Sequence, residues 1–308
     1  MQGCKRSPAF SKEIIMIQIS SRALSMPTSG IRAMTVLASK YDNVVSFGLG
    51  EPDFPTPQNI IDEGCHALQT GWTKYVANQG IQPLLSALAA KMREYNNMPY
   101  ITEDNIHITF GAGQALLLSM ETILEPEDEV IIPTPCFPNY FGYVHMAGGK
   151  SVVVPTKEKN GFRVTAQEIK EKITSKTKAI LINSPCNPTG SVLTEQDIRE
   201  IAQIALEYNL TVISDEPYEA IIYDGQKSFS IASIPEMKDH VITVNSFSKS
   251  YAMTGWRIGY VVAPSAVRER MTLLQESMGS SVTAACQKAA AEAILGPQDS
   301  VEAMCREY

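Results

Sequence analysis

The sequence predicts an α/β protein in which a mostly parallel seven-stranded sheet lies between helices. Strand-like and helix-like segments alternate from residue 106 onward, which is typical of a parallel sheet covered by helices. The chain has 308 residues, 44% of them hydrophobic and 19% charged, as in an ordinary globular protein. That length allows one large core and a smaller appended unit.

Seven short runs of aliphatic and β-branched residues predict the strands. In chain order they are IHITF (106–110), EVIIP (129–133), KSVVVP (150–155), AILINS (179–184), TVISDE (211–216), VITVN (241–245) and IGYVVA (258–263).

Helical periodicity predicts the connecting elements. The helices are expected at QALLLSMETIL (114–124), TAQEIKEKI (165–173) and TEQDIREIAQIALEY (194–208), with an earlier one near 82–96. Thr165 precedes Glu168, and Thr194 precedes Asp197, at the spacing of a capping box. The stretch GLGEPDFPTP (48–57) is rich in Gly and Pro and predicts loops.

Composition excludes several function classes. With 26 basic and 33 acidic residues, the net charge of −7 argues against nucleic acid or an anionic membrane as a partner. The six cysteines contain no C-x-x-C pair and the four histidines are dispersed, so no metal site is expected. The apolar run IIMIQI (14–19) is too short for a membrane span and does not resemble a signal peptide. We therefore expect a cytoplasmic protein with reduced thiols.

Polar motifs follow several of the predicted strands. GAGQAL (111–116) opens a helix, where glycines and free backbone N–H groups could bind an anion, although the motif equally fits a tight turn. Asn187 follows a strand within PCNPTG, a turn that needs no function of its own. Asp215 ends a β-branched strand, where it either caps a following helix or meets a positive or hydrogen-bonding group.

Lys249 follows a further strand, within SFSK (246–249). The pattern matches the S-x-x-K of serine acyl-enzymes, but the S-D-N and K-T-G motifs of those enzymes are missing and Ser246 follows a strand directly. A phosphate-binding P-loop is also excluded, because G-x-x-x-x-G-K-[ST] does not occur in the sequence.

Taken together and in order, the motifs GLGEPDF, TKY, GAGQAL, NPTG, DEPYE, SFSK and MTGWRIGY resemble those of the class I/II aminotransferases. The resemblance extends from GLGEPDF to the last residue. It implies a fold-type-I enzyme that depends on pyridoxal 5'-phosphate. The implied reaction moves an amino group between an L-amino acid and a 2-oxo acid by a ping-pong mechanism. The resemblance also implies a homodimer.

The resemblance assigns roles around the cofactor ring. Lys249 matches the lysine that binds the cofactor as a Schiff base and shuttles a proton. Asp215 matches the carboxylate that keeps the ring nitrogen protonated. Tyr218 and Asn187 match the partners of the phenolic oxygen, and Phe137 matches the aromatic residue stacked on the ring.

The remaining implied roles concern the phosphate and the substrate. The residues matched to the phosphate cup are Ala112, Gly113, Ser246, Ser248 and Arg257. Tyr75 matches a tyrosine that reaches the cofactor phosphate of the neighbouring subunit. Gly50 and Asn187 match contacts to the substrate. Gly113 offers no cationic side chain for a second carboxylate, which disfavours aspartate as the dedicated donor.

The resemblance also predicts how the domains are arranged. Residues 1–47 would form an N-terminal arm and a small-domain segment, with the recognisable family start at Met16. Residues 48–296 would form the large cofactor-binding domain, and 297–308 the start of an interdomain helix. The small α/β domain would be incomplete, without the family's arginine that clamps the substrate carboxylate. Two alternative functions stay open: a C–S β-lyase on the same fold, and a truncated protein that binds the cofactor without turnover.

Overall fold

A seven-stranded sheet forms the centre of the computed structural model, which describes residues 17–27, 30–45, 48 and 50–308. All seven strands predicted from the sequence are present. They are β1 (Ile106–Thr109), β2 (Glu129–Thr134), β3 (Lys150–Pro155), β4 (Thr177–Asn183), β5 (Thr211–Asp215), β6 (Val241–Ser246) and β7 (Gly259–Val262).

The strands lie in the order β1-β7-β6-β5-β4-β2-β3. β7 runs antiparallel to both of its neighbours, β1 and β6, and the other paired strands are parallel. The carboxyl ends of β4, β5 and β6 therefore meet at one edge of the sheet. In an open α/β sheet this edge is where ligands bind.

Helices flank the sheet, and short 3-10 helices, turns and loops make up the rest of the described structure. The bounds of the α-helices are α1 (Ser21–Leu24), α2 (Gly30–Ala38), α3 (Gln58–Gln69), α4 (Gln82–Glu94), α5 (Ala112–Ile123), α6 (Asn139–Met146), α7 (Ala166–Lys170), α8 (Glu195–Glu207), α9 (Ser265–Met278), α10 (Ala284–Leu295) and α11 (Asp299–Glu307).

Both predicted capping boxes are formed, at the starts of α7 and α8. α7 ends at Lys170, earlier than the sequence predicted. Just beyond this end, Thr177 Oγ1 accepts a hydrogen bond of 2.9 Å from the backbone N–H of Thr174. A threonine side chain that binds nearby backbone competes with helix extension.

Apart from the edge strand β3, the sheet is buried on both faces, as expected for parallel strands that read as continuous apolar runs. Along β2, Ile131 belongs to one hydrophobic core, and Val130 and Ile132 belong to the other. The first core includes residues of α3, α4, α8 and α10, and the second includes residues of α5, α6 and α9.

Within the described part of the chain, no helix is long and apolar enough to span a membrane. The predicted N-terminal arm (1–47) falls partly outside the described residues, and so does its predicted start at Met16. α1 and α2 lie in that arm, and α11 lies in the segment predicted to begin the interdomain helix. The domain division stays a prediction.

Candidate active site

Asp215 is the last residue of β5 and is buried at the carboxyl edge of the sheet, with only 4% of its surface exposed. Its Oδ2 accepts a hydrogen bond of 2.6 Å from the hydroxyl of Tyr140, a fully buried residue of α6. Within the part of the chain that the structure describes, its Oδ1 is also buried and has no hydrogen-bond partner. A buried carboxylate oxygen without a partner is costly, so this atom is a place for a cationic or N–H donor.

Burial raises the pKa of Asp215 to about 7, and the hydrogen bond from Tyr140 opposes that rise. No helix begins after Asp215, since the chain continues into a turn. The alternative that Asp215 caps a following helix is therefore wrong. What remains is a carboxyl group that needs a positive neighbour to be fully ionised at neutral pH.

Two asparagines connect the ends of β4 and β5. Asn183 lies opposite Asp215 in the sheet, and its Nδ2 donates to the Asp215 carbonyl oxygen at 2.9 Å. Its Oδ1 accepts from the backbone N–H of Asn187 at 2.8 Å. This places the PCNPTG turn beside Asp215.

Tyr218 lies in the turn that follows β5, close to Asn187 and Asp215. Burial raises the pKa of its phenol to about 12, the charge of Asp215 adds to the rise, and a hydrogen bond from the Asn187 side chain opposes it. The phenol therefore stays protonated at neutral pH. It can donate to an anionic oxygen in the same space.

Lys249 follows β6 and extends its amine toward the same edge. Nζ donates to the carbonyl oxygen of Gly50 and lies 6.0 Å from the centre of the Tyr218 ring. Burial lowers the pKa of the amine; the charge of Glu51 opposes this and that of Arg257 adds to it. A lysine with a lowered pKa has a larger neutral fraction, which is the nucleophilic form.

An anion cradle lies at the start of α5. Gly111 precedes the helix with φ of 80°, and the first-turn N–H groups, including those of Ala112 and Gly113, have no partner within the helix. The guanidinium of Arg257 packs across Gly111, so that a Cβ on this glycine would lie 2.8 Å from an Arg257 nitrogen. The helix N-terminus and the guanidinium together favour a dianion such as phosphate.

The guanidinium of Arg257 contacts two backbone carbonyls, Thr254 at 3.0 Å and Phe110 at 3.5 Å. Among the described residues it forms no ion pair with a carboxylate. Its charge is therefore available to a ligand.

Two buried serines, Ser246 and Ser248, lie at the end of β6 near this cradle. The Ser246 hydroxyl oxygen accepts from the Ser248 backbone N–H at 3.1 Å, which folds the chain tightly before Lys249. Tyr143 of α6 adds a hydroxyl that lies beside the first turn of α5. A Cβ on Gly113 would lie 2.9 Å from that hydroxyl.

Three predicted site residues remain to be located, and only two of them, Phe137 and Gly50, lie at the site. Phe137 packs edge-on against Tyr140, with ring centres 5.6 Å apart, and so lies next to Asp215's partner. Gly50 reaches the site through its carbonyl contact with Lys249. Tyr75 is 87% exposed on the surface, and its predicted contact with a neighbouring subunit stays a prediction.

Sequence reasoning missed Tyr140, Asn183 and Tyr143. Tyr140 lies near the start of α6 and meets Asp215 of β5, which is distant in sequence, so no local signal pointed to it. Asn183 could have been suspected as a polar residue ending a buried strand. Cys136 and Cys186 line a small cavity beside Tyr140. Burial raises the pKa of the Cys136 thiol to about 12, which does not favour a catalytic thiolate at this residue.

The site thus combines an amine with a lowered pKa (Lys249), a buried carboxylate (Asp215), and a phenol beside a side-chain amide (Tyr218 and Asn187). The anion cradle at the start of α5 lies at the same site. Residues 42–308 match the family model of the class I and II aminotransferases.

Individual proteins similar to the chain carry related names. The aspartate aminotransferase of Pyrococcus abyssi is 45% identical over 94% of this chain and 75% of its own length. The aromatic-amino-acid aminotransferase 2 of Thermococcus litoralis is 42% identical over the same shares. The Thermus thermophilus aspartate aminotransferase, solved with maleate, matches with a TM-score of 0.89 and 35% identity, covering 95% of this chain and 76% of that one.

Proposed function

The chain belongs to the class I and II aminotransferases, and on that premise we propose that it binds pyridoxal 5'-phosphate at the carboxyl edge of β4, β5 and β6. The seven-stranded α/β fold of the family is present, and the enzyme is an aminotransferase. It exchanges an amino group between an L-amino acid and a 2-oxo acid in two half-reactions.

The residues present fit this cofactor. Oδ1 of Asp215 is buried and without a partner, which suits a protonated ring nitrogen. The first-turn N–H groups of α5, together with the guanidinium of Arg257, which forms no ion pair with a described carboxylate, suit the phosphate. When bound, the cofactor supplies an electron sink for the carbanion that forms at the substrate Cα.

The positions of the protein's own groups support the following roles, which the family resemblance implies. Lys249 would hold the cofactor covalently through Nζ, and its amine would move a proton to and from the substrate carbon. Asp215 holds a proton on the ring nitrogen, and Tyr140 orients that carboxylate. Tyr218 and Asn187 bind the phenolic oxygen, Phe137 covers the ring, and Ala112, Gly113, Ser246, Ser248 and Arg257 bind the phosphate. Gly50 and Asn187 contact the substrate.

The unpartnered Oδ1 of Asp215 at the same sheet edge as Lys249 is the observation that carries this proposal. It is tested by adding pyridoxal 5'-phosphate, reducing with borohydride and mapping the labelled peptide. We expect the label on Lys249 and none in Lys249→Ala. A label on another lysine, or no label on the folded protein, would contradict the proposal.

The amino donor can be resolved by a screen. Relatives named for aspartate and for aromatic amino acids both resemble the chain, so the preference against aspartate inferred from Gly113 stays a prediction. Exchange that depends on 2-oxoglutarate is expected with at least one donor. Release of pyruvate and ammonia from cystathionine without a 2-oxo acid would instead indicate the β-lyase.

We further propose a cytoplasmic homodimer with the predicted three-part division: an arm at 1–47, a large domain at 48–296 and an interdomain helix starting at 297–308. The exposed phenol of Tyr75 supports the dimer, since an exposed aromatic side chain is suited to reach a neighbouring molecule. Tyr75→Phe should weaken cofactor binding in a dimer. Equal affinity for the cofactor in Tyr75→Phe and in the unchanged protein would contradict this role.

A further inference from the structure

The loop between β6 and β7 carries two of the proposed cofactor ligands, Lys249 and Arg257. It also contains two residues other than glycine with positive φ, Ala252 at 50° and Arg257 at 52°. Side chains rarely adopt this conformation, and it persists only where surrounding contacts hold it. These contacts therefore decide where the amine and the guanidinium lie.

The side chain of Thr56 makes two of these contacts. Its Oγ1 donates to the carbonyl oxygen of Ala252 at 2.7 Å and accepts from the indole N–H of Trp256 at 3.0 Å. One hydroxyl thus joins Ala252, which has positive φ, to Trp256, which directly precedes Arg257, the other residue with positive φ. Thr56 lies outside the loop, two residues before α3 begins, so it ties the loop to a separate element.

The Trp256 ring is seated on α3. A Cβ on Gly64 would lie 2.7 Å from the ring, so glycine is needed there for the indole to approach the helix. The indole is fixed at its N–H by Thr56 and along its ring by α3. Because Arg257 directly follows Trp256, the packing of the indole on α3 and its hydrogen bond to Thr56 determine the direction of the Arg257 backbone.

Lys249 and Arg257 are each hydrogen-bonded within this loop. The backbone N–H of Ala252 donates to the Lys249 carbonyl oxygen at 3.3 Å. At the other end, the Arg257 guanidinium donates to the Thr254 carbonyl oxygen at 3.0 Å. A change at Thr56 is therefore transmitted to both ligands, although Thr56 touches neither of their side chains in the contacts described.

We propose that Thr56 is a positioning residue for the reaction: its hydroxyl holds Ala252 and Trp256 so that Lys249 and Arg257 are set for the cofactor. The proposal rests on the proposed cofactor site. It adds a specific requirement: the Thr56 hydroxyl must both donate a hydrogen bond to Ala252 and accept one from Trp256.

Thr56→Val tests this directly, because valine keeps the shape but can neither donate nor accept. Thr56→Ser keeps both functions and is the conservative rescue. Thr70→Val is the matched control: the Thr70 hydroxyl donates to the His66 carbonyl at 2.8 Å at the opposite end of α3. The measurements are the dissociation constant for pyridoxal 5'-phosphate and the pH midpoint of the visible absorbance of the lysine-bound cofactor.

We expect Thr56→Val to weaken cofactor binding about tenfold, in line with the loss of two partly buried hydrogen bonds, and to move the pH midpoint. Thr56→Ser and Thr70→Val should match the unchanged protein in both measurements. Unaltered binding and midpoint in Thr56→Val would overturn the proposal. Failure of the unchanged protein to bind the cofactor would instead refute the proposed function.

A second substitution separates positioning from general destabilisation. Glycine adopts positive φ without steric cost, so Ala252→Gly in the Thr56→Val background should restore cofactor affinity at least in part. A purely destabilising effect of Thr56→Val would not be rescued this way, and absence of rescue overturns the proposal. If Thr56→Val does not fold, Trp256→Phe removes the indole donor together with the ring atoms that pack on Gly64, and the same shift in midpoint is expected from it.

Discussion

Asp215→Asn should stabilise the protein without cofactor and weaken its function, two effects of opposite sign from one substitution. Asparagine preserves the size of the side chain and can still accept from Tyr140, but it carries no charge. Burial raises the pKa of Asp215 from 3.8 to about 7. A difference of that size corresponds to about 4 kcal/mol for ionising the buried group, taken as an upper estimate.

The sign of the pH dependence follows from proton binding. Between about pH 4 and 7 the folded protein retains a proton on Asp215 that the unfolded chain has lost. The contribution of this group to the free energy of unfolding is therefore present at low pH, falls as the pH rises through that window, and levels off above 7. In Asp215→Asn this fall is absent, so the gain in stability should appear at pH 8 and vanish near pH 4.

Unfolding by urea at pH 4, 6 and 8, on protein stripped of cofactor, measures the effect. Glu216→Gln is the matched control: burial also raises the pKa of Glu216 to about 7, but its Oε1 accepts from Ser214 and Ser230 rather than from Tyr140. Both variants should gain stability at pH 8. Only Asp215→Asn should lose transamination, by about two to three orders of magnitude, as expected for a central electrostatic group. Near-normal turnover in Asp215→Asn, or a loss of stability at pH 8, would refute the reasoning.

Other substitutions test the remaining parts of the site. Lys249→Ala should still bind pyridoxal 5'-phosphate noncovalently, seen as a fluorescence change, but lose turnover; retained turnover would exclude it as the proton carrier. Tyr140→Phe removes the hydrogen bond that holds down the pKa of Asp215, so cofactor binding should weaken about tenfold at pH 7. That loss should be largest at low pH, and a uniform loss from pH 6 to 9 would contradict it. Gly259→Ala places a Cβ within 2.9 Å of backbone atoms and should lower the free energy of unfolding by about 1–3 kcal/mol. Gly255→Ala, which meets nothing within 4 Å, is its control in urea unfolding, and equal stability of the two would show that the close approach is not required.

The sheet could be predicted because its strands are short runs of β-branched residues separated by clear helical patterns. The capping boxes at Thr165 and Thr194 were equally local, since each depends on residues three apart. The contact between Arg257 and Gly111 could not be derived in this way. It joins residues far apart in sequence and depends on the antiparallel placement of β7, for which the alternation of elements contains no signal.

The same limit explains the missed residues of the site. Tyr140 and Thr56 act through single hydroxyl groups that meet partners on other elements, and nothing in their own neighbourhoods distinguishes them from surface residues. Lys249 and Asp215 could be predicted from the sequence because each follows or ends a strand, where a charged group is unexpected. Motif order then linked them to a known family, whereas Tyr140 and Thr56 became visible only through their contacts in three dimensions.

The position of β1 in the sheet has a consequence for how the protein is made. β1 pairs with β7 alone, joining Ile106 to Val262, so the strand that leads into the anion cradle has no sheet partner until almost the whole sheet has been synthesised. Pairings so distant in sequence slow folding, because a long loop must close before its contacts form. A nascent chain should therefore acquire affinity for phosphate only after β7 has left the ribosome, when the cradle, Arg257 and Lys249 can first come together.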